Sequence, residues 1–142
     1  MVSNLQSYLT EFRSKVELGV NEALTENELD MLMRGIAEEF QELAQAALDI
    51  KGAKVMIKGA PQPLDEDFPK EELRVMKEKL LKEMADVIYM VVNMAVSFGW
   101  DIDTALQLVH VSNMTKSNKV QYGKVVKGAD YQEPNLEGCL ED

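Results

Sequence analysis

The sequence predicts an all-α fold, a four-helix bundle with an irregular C-terminal tail. Four segments repeat apolar residues at helical spacing, and none sustains the two-residue alternation of a strand. The chain's 142 residues suit a single domain, 1–142, with a modest core.

The first helix is expected over about 3–18. Ser3 with Gln6 forms a capping box, Leu5, Tyr8, Leu9, Phe12 and Val16 make the apolar stripe, and Gly19 stops it. The second runs over about 25–50. Thr25 and Glu28 form another capping box, and the stripe is Leu29, Leu32, Ile36, Leu43, Ala47 and Ile50. Gly52 is expected to end it. Residues 52–69 hold Gly52, Gly59, Pro61, Pro63 and Pro69 with the acids Asp65, Glu66 and Asp67, and read as a loop with a solvated acidic patch. The third helix is expected over about 70–98, striped by Leu73, Met76, Leu80, Met84, Val87, Val91 and Met94, with Gly99 as its stop. Asp101 or Asp103 caps a fourth over about 102–118. The tail, 119–142, reads as irregular with one or two short extended pieces near 120–126.

Hydrophobic residues make up 46% and charged residues 28%, an ordinary globular balance. The formal net charge is −10, from 15 basic and 25 acidic residues. Such a chain is a poor binder of nucleic-acid polymers, whose phosphates need clustered Lys and Arg. A phosphate-bearing small ligand would need positive charge from elsewhere, and a bound metal supplies it. Cys139 stands alone, so no intramolecular disulfide forms. No apolar run is long enough to span a bilayer, and residues 1–10 lack a signal-peptide core. A cytoplasmic protein without a membrane partner is expected.

Four acids fall where acids are costly. Glu39 lies three residues after Ile36 and four before Leu43, on the stripe itself, and Glu42 follows one turn later. Glu83 lies three after Leu80 and four before Val87, with Asp86 three further on. Two helices thus each carry an acidic pair on or beside their apolar face. Packing those faces together brings four carboxylates into one place, where burial and mutual repulsion penalise them. Arg34, Lys77, Lys79 and Lys82 are near in sequence, but most are expected on other sides. A divalent cation removes the conflict, and hard oxygen donors suit Mg²⁺ or Mn²⁺. The bland alternative is that both pairs sit on solvated faces. His110 is expected to pack or to stand partly exposed rather than to ligate metal, and Trp100 and most of the nine methionines are expected to serve packing.

Glu38-Glu39-Phe40-Gln41-Glu42 and Glu83-Met84-Ala85-Asp86 resemble the two acidic motifs of the all-α nucleoside triphosphate pyrophosphohydrolases, the MazG-like superfamily. Asn113-Met114-Thr115-Lys116, the stretch 122–128 and Pro134-Asn135-Leu136 look like a bacterial and phage branch close to the phosphoribosyl-ATP pyrophosphohydrolases. The resemblance covers roughly residues 25–136. The gap between Glu42 and Glu83 is longer than usual for the family, the excess being the Gly/Pro stretch at 52–69.

The resemblance implies hydrolysis of a nucleotide between its α- and β-phosphates. Glu39, Glu42, Glu83 and Asp86 would hold roughly one to three Mg²⁺ ions, with Mn²⁺ able to substitute, and Glu38 would position or deprotonate the attacking water. Asn113, Lys116, Lys124 and Lys127 would contact sugar or phosphates. The branch leans towards a purine deoxynucleotide, with dGTP or dGDP converted to dGMP. Phosphoribosyl-ATP is the rival substrate, and a non-catalytic metal- or nucleotide-binding helical module is the alternative of another class. A homodimer or homotetramer is expected.

Overall fold

A computed structural model describes residues 4–55 and 69–140. Among them are four helices: α1 (Leu5–Lys15), α2 (Glu26–Val55), α3 (Lys70–Phe98) and α4 (Ile102–Asn113). A two-stranded hairpin, β1 (Val120–Gln121) and β2 (Lys124–Val125), and a 3₁₀ turn at Glu137–Cys139 follow. The fold is all-α, as the periodicity predicts. It divides into two compact units, one formed by Leu24–Val91 and the other by Met1–Ala23 with Val92–Asp142.

The Leu24–Val91 unit consists of α2 and most of α3. Thr25 caps α2, its Oγ1 accepting from the Glu28 backbone N–H at 3.2 Å. The helix does not stop at Gly52 but continues to Val55. An exposed helical Gly costs only about 1 kcal/mol, too little to end a helix already four or more turns long. The remainder of the expected loop, 56–68, lies outside the described residues. Leu32, Ala46 and Ile50 of α2 are buried, as is Leu73 of α3. Leu29, Met84 and Val91, expected on the stripes, are exposed. On α3 the inward register is Leu73, Leu80, Glu83 and Val87 rather than the line through Met84 and Val91. A Cβ on Gly35 would stand 2.6 Å from Cε of Met90, so the bare glycine lets the two helices approach closely there.

The second unit is built on α1, the last turns of α3, α4 and the tail. Leu9, Val92 and Val96 form its core, with Leu5 and Ile102 packed against them. On α1 the buried line is Leu9 and Arg13, while Tyr8, Phe12 and Val16 face outward. Helix α1 is shorter than expected. Ser3 lies outside the described residues, and Asn4 precedes the helix without a side-chain cap bond. It ends at Lys15, not at Gly19, because Glu17 takes φ 60. The Glu17 N–H donates to Ser14 O and the Leu18 N–H to Arg13 O, a Schellman closure two residues before the glycine.

Gly99, with φ +77, ends α3 in the same way, its N–H donating to Val96 O and that of Trp100 to Ala95 O. Asp101 caps α4, accepting from Thr104 N at 3.0 Å and Thr104 Oγ1 at 2.7 Å. Helix α4 stops at Asn113, short of the expected 118, because its last turn is tied to the tail instead. Ser112 Oγ donates to Gln132 O at 2.7 Å, and Gln132 N–H donates to Thr115 Oγ1 at 2.8 Å. The hairpin turns on Tyr122 and Gly123, both with positive φ, which suits the right-handed twist of its strands.

Candidate metal centre

Helices α2 and α3 bring together the four acids that the spacing singled out. One carboxylate oxygen from each of Glu39, Glu42, Glu83 and Asp86 lies within 4.8 Å of the others. Glu83 is 2% exposed, Glu39 and Asp86 are half-buried, and Glu42 is exposed. The i,i+3 spacing explains the convergence, since each pair lies on one helix face and the two faces meet.

Of the four nearby bases, most of which were expected on other sides, Lys79 and Lys82 reach this cluster. Lys82 Nζ lies 2.8 Å from Asp86 Oδ2 and 3.4 Å from Glu83 Oε1, and Lys79 Nζ lies 3.6 Å from the same Glu83 oxygen. Their i,i+4 spacing to Asp86 and Glu83 was the signal available. Two ammoniums do not offset four carboxylates. The pairing is also incomplete in space, because Glu39 Oε2 and Glu83 Oε2 are buried without a hydrogen-bond partner. Each buried, unpaired carboxylate oxygen is costly, and ordinary folding would not select two side by side. Burial, followed by a hydrogen bond to Glu42 and the charges of Glu42, Asp86 and Glu83, pushes the Glu39 carboxyl above its usual value. An all-oxygen, all-carboxylate donor set with orphaned inward oxygens fits a hard divalent cation.

The motifs coincide with a known family. The model for the phosphoribosyl-ATP pyrophosphohydrolases matches residues 6–113. The chain belongs to this family. It is thereby a member of the MazG-like all-α superfamily of metal-dependent pyrophosphohydrolases, and all four clustered acids fall inside the match. A search of curated proteins returns no significant match.

Other expected site residues are placed differently. Glu38 is exposed on α2, one residue round from Glu39, and is not one of the four converging groups. Asn113, Lys116, Lys124 and Lys127 all belong to the second unit. Asn113 closes α4 and is exposed, Lys116 is half-buried, and Lys124 is exposed on β2. The Lys127 ammonium sits 4.8 Å from the centre of the Tyr131 ring, a cation–π contact. Beyond Asn113 the family match does not extend, so the three lysines lie outside it. His110 is exposed, and Trp100 packs its ring 5.1 Å from that of Phe98.

Proposed function

We propose that the chain hydrolyses a purine nucleoside triphosphate, with dGTP the first candidate, to the monophosphate and pyrophosphate. The observation that carries this reading is the set of four carboxylates with an oxygen each within 4.8 Å, Oε2 of both Glu39 and Glu83 being buried and unpaired, in a pyrophosphohydrolase family member. Glu39, Glu42, Glu83 and Asp86 would hold Mg²⁺. The ion would supply positive charge against the phosphates and a lowered pKa for bound water. Glu38, exposed beside the cluster, accepts the proton of the attacking water. Asn113, Lys116, Lys124 and Lys127 supply candidate contacts to sugar and phosphates, Lys being a compact point charge suited to them.

A second reading is favoured by the family's own description, which points to phosphoribosyl-ATP as substrate. Both readings need the same acids and differ in the group carried by the α-phosphate. Purified protein with Mg²⁺ and a panel of NTPs, dNTPs, dGDP and phosphoribosyl-ATP separates them by release of pyrophosphate or phosphate. Glu83→Gln is expected to lower turnover of the preferred substrate by about a hundredfold or more. Metal binding without turnover of any member of the panel would leave the non-catalytic module standing instead.

A further inference from the structure

Two of the four clustered acids are already in contact with a cation of the chain's own. Lys82 Nζ is 2.8 Å from Asp86 Oδ2 and 3.4 Å from Glu83 Oε1. Adjacent side chains on a helix diverge by roughly 100°, so contact between residues 82 and 83 is not the product of helical spacing. The Lys82–Asp86 order, base before acid, is also the less favoured one for an i,i+4 pair. What draws the ammonium across both acids is the uncompensated charge of the cluster. The lysine and the acids differ in freedom as well. Glu83 keeps 3% of its side chain exposed, whereas Lys82 keeps 66%. The acid is fixed by its packing, while the base lies on a solvated four-carbon stem and can swing away without disturbing the core.

We propose that Lys82 is a built-in occupant of the metal centre, holding one carboxylate oxygen each of Asp86 and Glu83 while no divalent cation is bound and giving up that hold when one binds. The inference rests on the reading of the four acids as metal ligands. An ammonium and a divalent cation on the same carboxylate repel each other. Bare metal therefore binds against Lys82, whose displaced ammonium gains only hydration in exchange for two carboxylates. Metal that arrives bound to a nucleotide offers the displaced ammonium a phosphate oxygen instead. Lys82 thus weakens binding of the bare ion and favours the metal–nucleotide complex, acting as a positioning residue for the substrate. Lys79, at 3.6 Å from Glu83 alone, does the same more weakly.

Titration of Mn²⁺ into metal-free protein, without nucleotide, by isothermal calorimetry tests this. Lys82→Met is expected to bind Mn²⁺ about three- to tenfold more tightly than the parent. Lys82→Arg keeps charge and reach and stays close to the parent, and Lys79→Met shows a smaller gain. The rise in melting temperature on adding Mn²⁺ is larger for Lys82→Met, which registers the same linkage even where the metal-free variant is less stable. KM for the Mg²⁺-bound nucleotide rises in Lys82→Met and recovers in Lys82→Arg, so bare-ion affinity and substrate affinity move in opposite directions. A merely structural lysine would move both together. Mn²⁺ affinity in Lys82→Met equal to or below the parent's overturns the inference and leaves the metal centre intact. Absence of Mn²⁺ binding by the parent protein overturns both.

Discussion

Two buried charged groups, one in each compact unit, are treated in opposite ways. Arg13, 4% exposed, has three acceptors around its guanidinium: Gly19 O at 2.6 Å from Nε, Asn93 Oδ1 at 2.9 Å from Nη1 and Ser97 Oγ at 3.4 Å from Nη2. None is charged, yet Asn93 and Ser97 lie in the last turns of α3, where the helix dipole presents negative partial charge. Glu83, 2% exposed, keeps one oxygen without any partner and stands among three further acids. A buried charge that is satisfied within the chain holds the fold. One left unsatisfied, beside others of its own sign, destabilises the chain until something outside it arrives.

That contrast makes opposite forecasts for stability. Arg13→Met strips two buried acceptors, Asn93 and Ser97, of their donor, removes the half-buried bond to Gly19 O, and is expected to cost about 2–4 kcal/mol in urea unfolding of metal-free protein. Glu83→Gln removes a charge from a repelling group at nearly constant volume. Its ion pairs run to lysines more than 60% exposed, which contribute little. Its metal-free stability is expected within about 1 kcal/mol of the parent, although its turnover collapses. Equal losses from the two substitutions would erase the distinction between a structural and a ligand-seeking charge. Metal affinity of folded Arg13→Met should stay near the parent's, since none of the three acceptors belongs to the cluster.

The two regions also differed in how far the sequence disclosed them. The acids were legible because each pair lies within one turn of one helix, so local periodicity shows both the pair and its misplacement on an apolar face. Arg13 was not, because Asn93 and Ser97 are 80 and 84 residues away and nothing local distinguishes a buried guanidinium from a solvated one. The early end of α4 has the same origin, since Ser112 and Thr115 bond to Gln132 across the tail. Lys82 is the intermediate case. Its spacing to Asp86 was on view, but only the charge of the assembled cluster explains why it also bends to Glu83.

The two Schellman closures sharpen the contrast at backbone level. Gly99 holds φ +77, and a Cβ there would lie 3.2 Å from Cα of Asn21 and closer still to its side chain. Gly99→Ala should cost about 1–3 kcal/mol in denaturant unfolding, combining the left-handed penalty with that approach. Glu17 occupies the equivalent position of α1 at φ 60 with a full side chain. Glu17→Gly should therefore leave stability unchanged or raise it by up to about 1 kcal/mol, the relief of left-handed strain being offset by glycine's greater freedom when unfolded. A loss on both substitutions would mean that the two helix ends are not equivalent.

The smallest expected effect is the acid response of the second unit. Hydrogen bonds from the Thr104 hydroxyl and backbone N–H hold the Asp101 carboxyl below its ordinary value of 3.8. Because the folded value is the lower one, the cap's contribution is complete above pH 3.8 and is lost as pH falls through the lowered folded value. Asp101→Asn keeps an acceptor for Thr104 N while removing the titration. Its stability at neutral pH should lie within about 1 kcal/mol of the parent, and the gap should narrow below pH 3.8. Stability curves of the two proteins measured between neutral and strongly acid pH check this. A gap of constant size across that range would show that the α4 cap works through its geometry alone, with its charge adding nothing.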